Sequence, residues 1–185
     1  MRSNSFVALL LVVSGISAFS QSLERQKITW ADFHVAPDWN SPDLACTCWS
    51  VRFFYQNPQP GAKGTRFQFR VWTQLEDRSW VKLDGLSAPS RNELLAHEQG
   101  HYDVGLICAL LFYQAIVNHE FSTDPRAEAS KILADEVEKA REMDLAYDRE
   151  ARHGSNSTKQ AEWEKKTASI INQLWPVLIR ANNLR

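Results

Sequence analysis

The sequence predicts an α+β fold: a small antiparallel β-sheet, a long helix packed antiparallel on a second helix, and a C-terminal helix. Three observations predict it. Between Ile28 and Leu86, short runs rich in aromatic and β-branched residues alternate with turn signals. From about Arg91 to about His119, apolar residues recur at helical spacing and no proline intervenes. Two further helical stretches follow, separated by His153-Gly154.

The elements are read in chain order. Arg2, the apolar run Phe6 to Val13 and the small-x-small triplet Ala18-Phe19-Ser20 make residues 1–20 a secretory signal peptide, with cleavage expected after Ser20. Residues 21–185 are then expected to be one exported domain, secreted or periplasmic, with no membrane span in the mature chain. Cys48 to Tyr55 reads as a strand, and Asn57-Pro58-Gln59-Pro60-Gly61 interrupts it. Thr65 to Trp72 alternates apolar and polar residues with period two, and Ser79 to Leu83 adds a short strand before the turn at Asp84-Gly85. Pro89 to Glu93 reads as a helix start with Ser90 as N-cap and Glu93 completing a capping box. After Ser122-Thr123-Asp124-Pro125, a charged helix is expected from about Arg126 to about Arg152. The last helix, about Lys159 to Leu184, is amphipathic and is expected to break or kink at Pro176.

The chemistry lies in His97-Glu98-Gln99-Gly100-His101. Residues four apart share a helix face, so His97 and His101 can reach one cation, with Glu98 one step round the helix beside them. A catalytic zinc site takes three protein ligands and keeps a position for water. Short-loop helices pack antiparallel, so reflection about Ser122 sets His97 opposite Tyr147 and His101 opposite Met143. The third ligand is therefore sought between Glu142 and Asp148, with His153 just beyond. Asp148 is favoured over Glu142 and Asp144, and His153 is its rival. If Asp148 is the ligand, His153 is free to donate a hydrogen bond to an oxyanion; if His153 is, Asp148 could orient an imidazole. Asp103 reads equally as an orienting group or a surface carboxylate. Cys46, Cys48 and Cys108 allow one bridge with a thiol left over, joining Cys108 to Cys46 or Cys48, since Cys46-Thr47-Cys48 is too tight to bridge easily. Buried cysteines, bridged or not, are the favoured reading.

Three blocks carry a resemblance: Ile28 to Phe33, His97 to Asp103, and Tyr147 to Gly154. They resemble a bacterial family of secreted proteins, domain of unknown function 922, described as predicted zinc-dependent proteases. Gln160 and Trp163 also fit its downstream pattern. The chain departs from that pattern at Ala151, at Leu106 and at Ala109-Leu110. The resemblance implies a zincin-like metallopeptidase domain with Zn2+ on His97, His101 and Asp148, and Glu98 as general base.

Composition limits the partners. With 185 residues, 44% of them hydrophobic and seven tryptophans, the chain can build a substantial core. A formal net charge of -1 gives no electrostatic reason to bind nucleic acid. The expected activity is hydrolysis of a peptide or protein substrate; a cell-wall amide would keep the same chemistry. The reading from another class is a noncatalytic envelope protein whose zinc is structural or binds a partner. Nothing in the sequence specifies an oligomeric state.

Overall fold

The computed structural model describes residues 26–56, 68–122 and 124–182. The expected signal peptide and the first residues of the Thr65–Trp72 run lie outside the described residues. A 3-10 turn at Trp30–Asp32 opens the described chain, closed by a capping box between Thr29 and Asp32. Strands β1 (Ala45–Cys46), β2 (Trp49–Gln56), β3 (Gln68–Leu75) and β4 (Trp80–Val81) follow. They form two antiparallel pairs, β2 with β3 and β1 with β4, and an isolated parallel bridge ties Val35 to Trp80.

The β2–β3 register sets Trp49 opposite Leu75, Val51 opposite Thr73 and Phe53 opposite Val71. Alternation therefore gathers Trp49, Val51, Phe53 and Val71 on one face, and all four are buried in the main core. That face packs on helix α1 (Ala88–Val117), where the Phe53 and Phe112 rings lie 5.3 Å apart. Gly105 permits the approach, because a Cβ there would come within 2.7 Å of the Trp49 indole.

Helix α1 starts earlier than the sequence suggests. Ser87, not Ser90, is the N-cap, accepting from the Ser90 backbone N–H at 3.3 Å, and no Ser90–Glu93 capping box closes the end. Proline fits the first helical turn, where its missing N–H has no partner to lose, so Pro89 is taken into the helix instead of preceding it. Helix α2 (Pro125–Ala151) is capped by Asp124, which accepts from Ala127 N–H at 3.0 Å. Helix α3 (Ser157–Asn182) contains Pro176 and continues past it, so the expected break does not occur. Both helices pack on α1.

From His97 to Leu110, all but Gln99 on α1 is buried, so its middle is enclosed on every side. By length and composition α1 could cross a membrane, but 78% of its most apolar stretch is buried inside the fold. Leu106, Ala109 and Leu110, three of the departures from the family pattern, are core residues here.

Candidate metal centre

The polar end of α1 meets the C-terminal end of α2 and the first turn of α3. His97 Nε2 lies 3.2 Å from His101 Nε2 and 3.2 Å from Asp148 Oδ1, and His101 Nε2 lies 3.1 Å from that same oxygen. Three donor atoms thus form a nearly equilateral triangle. Tetrahedral ligands about 2.0–2.1 Å from a zinc ion would be separated by about 3.3 Å. The donor set and its spacing fit a divalent cation of that kind.

The far side of each imidazole is also held. His101 Nδ1 lies 2.7 Å from Asp144 Oδ1, and His97 Nδ1 lies 3.2 Å from Gln160 Oε1. Gln160 Nε2 faces two acceptors, the Ala96 carbonyl at 3.4 Å and the Glu164 carboxylate at 3.0 Å. Its oxygen must therefore be the atom toward His97, so both Nδ1 atoms donate, His97 to Gln160 and His101 to Asp144. The two Nε2 atoms are left facing the triangle, where a bound cation would take the place of a proton, the arrangement that a carboxylate or amide partner imposes on a metal-binding histidine.

Backbone shape brings these groups together. Gly100 has no side chain because Tyr147 occupies that space: a Cβ there would fall on the phenol ring. The Tyr147 ring stacks on His97, with centroids 4.7 Å apart, and its hydroxyl lies 2.8 Å from Gln160 Oε1 and 3.0 Å from the His97 carbonyl. Helix α2 ends in three consecutive left-handed residues, Arg152, His153 and Gly154, at φ 49°, 52° and 82°. For Arg152 and His153 that conformation costs on the order of 1 kcal/mol or more each. It turns the chain back so that Gly154 abuts His97, where a Cβ would sit 3.2 Å from the His97 Cβ.

Charge follows geometry. Burial opposes a proton on His101, but the Asp144 and Asp148 carboxylates outweigh it and hold its pKa well above 6.5. Burial pushes the Asp148 carboxyl up, yet hydrogen bonds and charge from His101 and His97 carry it well below the usual carboxylate range. Burial raises the Tyr147 phenol, so it stays a neutral hydrogen-bond donor.

Glu98 lies beside the triangle. It is 3% exposed, and its Oε2 has no hydrogen-bond partner among the described residues. Its carboxylate falls with His97 and His101 in a group whose ligand atoms are all within 4.8 Å of one another; His97, Asp148 and His153 form a second such group. His153 is the peripheral member: its side chain is 66% exposed and its Nδ1 is 3.4 Å from Asp148 Oδ1. The structure therefore brings His97, Glu98, His101, Asp148 and His153 into one neighbourhood, with His153 at the rim.

Several expectations are revised. Asp103 is no surface carboxylate: it is buried and accepts from Gln99 Nε2 at 3.0 Å. Gln99 in turn pins the N-terminal segment, accepting from Ile28 N–H at 2.9 Å. Glu142 is not brought into the triangle, whereas Asp144 serves as the partner of His101. No cysteine is bridged to Cys108, which is buried in the core, and all three thiols are free. The Cys46 and Cys48 sulfurs, in a triplet read as too tight to bridge easily, are unbonded and 3.2 Å apart. Asp144 had a sequence signal in its position four before Asp148; Gln160 had none that placed it near His97, because nothing in the sequence orients α3.

A mixed fold with a buried His–His–Asp triangle across two antiparallel helices defines the class: an α+β protein with a candidate divalent-metal centre. The chain belongs to the family described as bacterial protein of unknown function (DUF922), which matches residues 25–154 and so includes every triangle residue and His153-Gly154. No curated protein and no solved structure matches it.

Proposed function

We propose that this chain is an exported zinc-dependent peptidase. The observation that carries the reading is the buried Glu98 carboxylate, whose Oε2 has no hydrogen-bond partner among the described residues, next to three converging donors. An orphaned buried acceptor is costly, on the order of 1–3 kcal/mol, and persists where a ligand or water completes it. His97, His101 and Asp148 would hold the zinc ion, with Asp144 and Gln160 fixing the two imidazoles. Zinc, when bound, supplies a water acidified toward neutrality and polarises a carbonyl. Glu98 accepts the attacking water's proton and delivers it to the leaving amine, the role of a general base and then acid. His153, on the rim, is placed to donate to the oxygen on which negative charge develops. The substrate class is a peptide or protein, and the net charge of -1 gives no electrostatic reason to expect nucleic acid.

The test is Glu98→Gln on the zinc-loaded protein, assayed with a mixed fluorogenic peptide library. About one zinc per chain should remain while hydrolysis falls by about 100-fold or more. Unchanged hydrolysis in Glu98→Gln would remove this residue from its role. The second reading, a noncatalytic site closed by four ligands, draws on the 3.4 Å approach of His153 to Asp148. It expects His153→Ala to lose zinc, whereas the open site expects that variant to keep it.

A further inference from the structure

A second group of reactive side chains lies outside the triangle, where β1 passes into β2. Cys46 Sγ and Cys48 Sγ are 3.2 Å apart, closer than two unbonded sulfurs normally pack, and about 1.2 Å beyond the length of a disulfide bond. Cys48 is fixed from both sides: its N–H donates to Ser79 Oγ at 3.0 Å, its carbonyl accepts from the Ser79 hydroxyl at 3.1 Å, and Glu76 N–H donates to the same carbonyl at 2.8 Å. Cys46 is held by β1–β4 pairing opposite Trp80 and is half-exposed, so the pair opens to solvent on that side.

The two thiols are unequal. The sulfur–sulfur hydrogen bond lowers the Cys48 pKa, with the Arg78 guanidinium acting in the same direction, while burial and the Glu76 and Glu98 carboxylates oppose it; the same bond and burial raise the Cys46 thiol. That guanidinium has Nε and Nη2 buried without a hydrogen-bond partner among the described residues, a cation free to answer a negative sulfur.

We propose that Cys46 and Cys48 form a redox-active dithiol that closes to an internal disulfide by exchange with a small-molecule or protein disulfide. One thiolate of the pair attacks a sulfur of the external disulfide and expels one thiolate. The second thiol then releases its proton to solvent, and its sulfur displaces the other half of the reagent. The Cys46–Cys48 bond forms as two electrons and two protons pass to the external disulfide, which leaves as two thiols. A ring spanning one intervening residue is tight, and a strained disulfide is more easily reduced, so this bridge is an exchange site rather than a permanent staple. Cys108, buried and with its thiol pushed up to about 12 by burial and by Glu136, takes no part.

The proposal is independent of the metal chemistry and is tested by thiol counting and peptide mapping of the full chain in glutathione buffers. Under oxidised glutathione, wild type should lose two of its three thiols without gaining glutathione, and reduced glutathione should restore both in the folded protein. Cys108→Ser should behave likewise, and Cys46→Ser and Cys48→Ser should form no internal bridge. The proposal is overturned if wild type keeps all three thiols, if the bridge maps to Cys108, or if it stays closed under reduced glutathione.

Discussion

Two adjoining stretches of helix α1, His97 to Asp103 and Val104 to Ile116, are comparably buried and are held by different forces. From Val104 to Ile116 the helix is enclosed by Val51, Phe53, Val71 and Ile171, and removal of apolar surface from water stabilises it. From His97 to Asp103 it is enclosed just as completely, yet its buried side chains are His97, Glu98, His101, Tyr102 and Asp103. Burying those groups is unfavourable unless each finds a partner: the histidines take theirs from α2 and α3 (Asp144, Asp148 and Gln160), Tyr102 from Gln26 and the Thr73 carbonyl, and Asp103 from Gln99. The apolar half tolerates any filling of the right volume, whereas the polar half tolerates only certain atoms at certain distances. Glu98 Oε2 is the exception, without a hydrogen-bond partner among the described residues.

Substitutions sharpen that contrast. His101→Ala should have the largest effect at the polar end, abolishing zinc binding as measured by metal mass spectrometry on the dialysed protein, while the fold persists. Phe112→Ala strikes the apolar half, where the ring is fully buried against Phe53. It should destabilise the protein by about 3–5 kcal/mol in urea unfolding and leave zinc per folded chain unchanged. Asp144→Ala removes only the group behind His101 and should weaken zinc binding by about 10- to 100-fold in competition with a chromogenic chelator. Asp144→Asn should be milder, since its amide oxygen still accepts from Nδ1. If Phe112→Ala lost zinc and Asp144→Ala did not, the division of α1 into two regimes would be wrong.

The smallest effect is one of pH. His101 is held well above its ordinary 6.5 in the metal-free protein, so its stabilising contribution is complete below that value and disappears as pH rises through the raised pKa. Metal binding runs the other way, because the Nε2 lone pair is needed and the proton must leave. Melting temperature measured with chelator should therefore fall with alkaline pH, while zinc affinity should rise by up to about tenfold per pH unit until His101 is deprotonated. Parallel slopes would show that His101 is not a ligand.

Much of this was legible in the sequence for identifiable reasons. The spacing of His97 and His101 is local, and helix geometry alone puts them on one face. The Ser122 turn is short enough that reflection about it set His97 opposite Tyr147, and the structure indeed stacks those rings. Period-two alternation marked β3, whose one face packs toward α1, while β2 was marked by its density of aromatic and β-branched residues. The start of α1 was misplaced because Ser87 and Ser90 are both competent caps, and the choice between them depends on whether Pro89 is inside the helix. Cys46 and Cys48, two apart, share one side of an extended chain, and β1 ends at Cys46 and the backbone leaves the strand before β2 begins, which brings their sulfurs close without a bond.

The sequence by itself determined the two long strands and the three helices, the His–Glu–x–x–His face and the window containing Asp148, because periodicity, capping and a short loop are properties of neighbouring residues. Tertiary structure alone decided that Asp144 and Gln160 orient the two imidazoles, that Gly100 and Gly154 make room for Tyr147 and His97, and that Glu98 Oε2 is buried without a hydrogen-bond partner among the described residues. Those facts depend on how three helices are rotated about their axes relative to one another. That rotation is set by the packing of many side chains at once, and no local pattern in the chain encodes it.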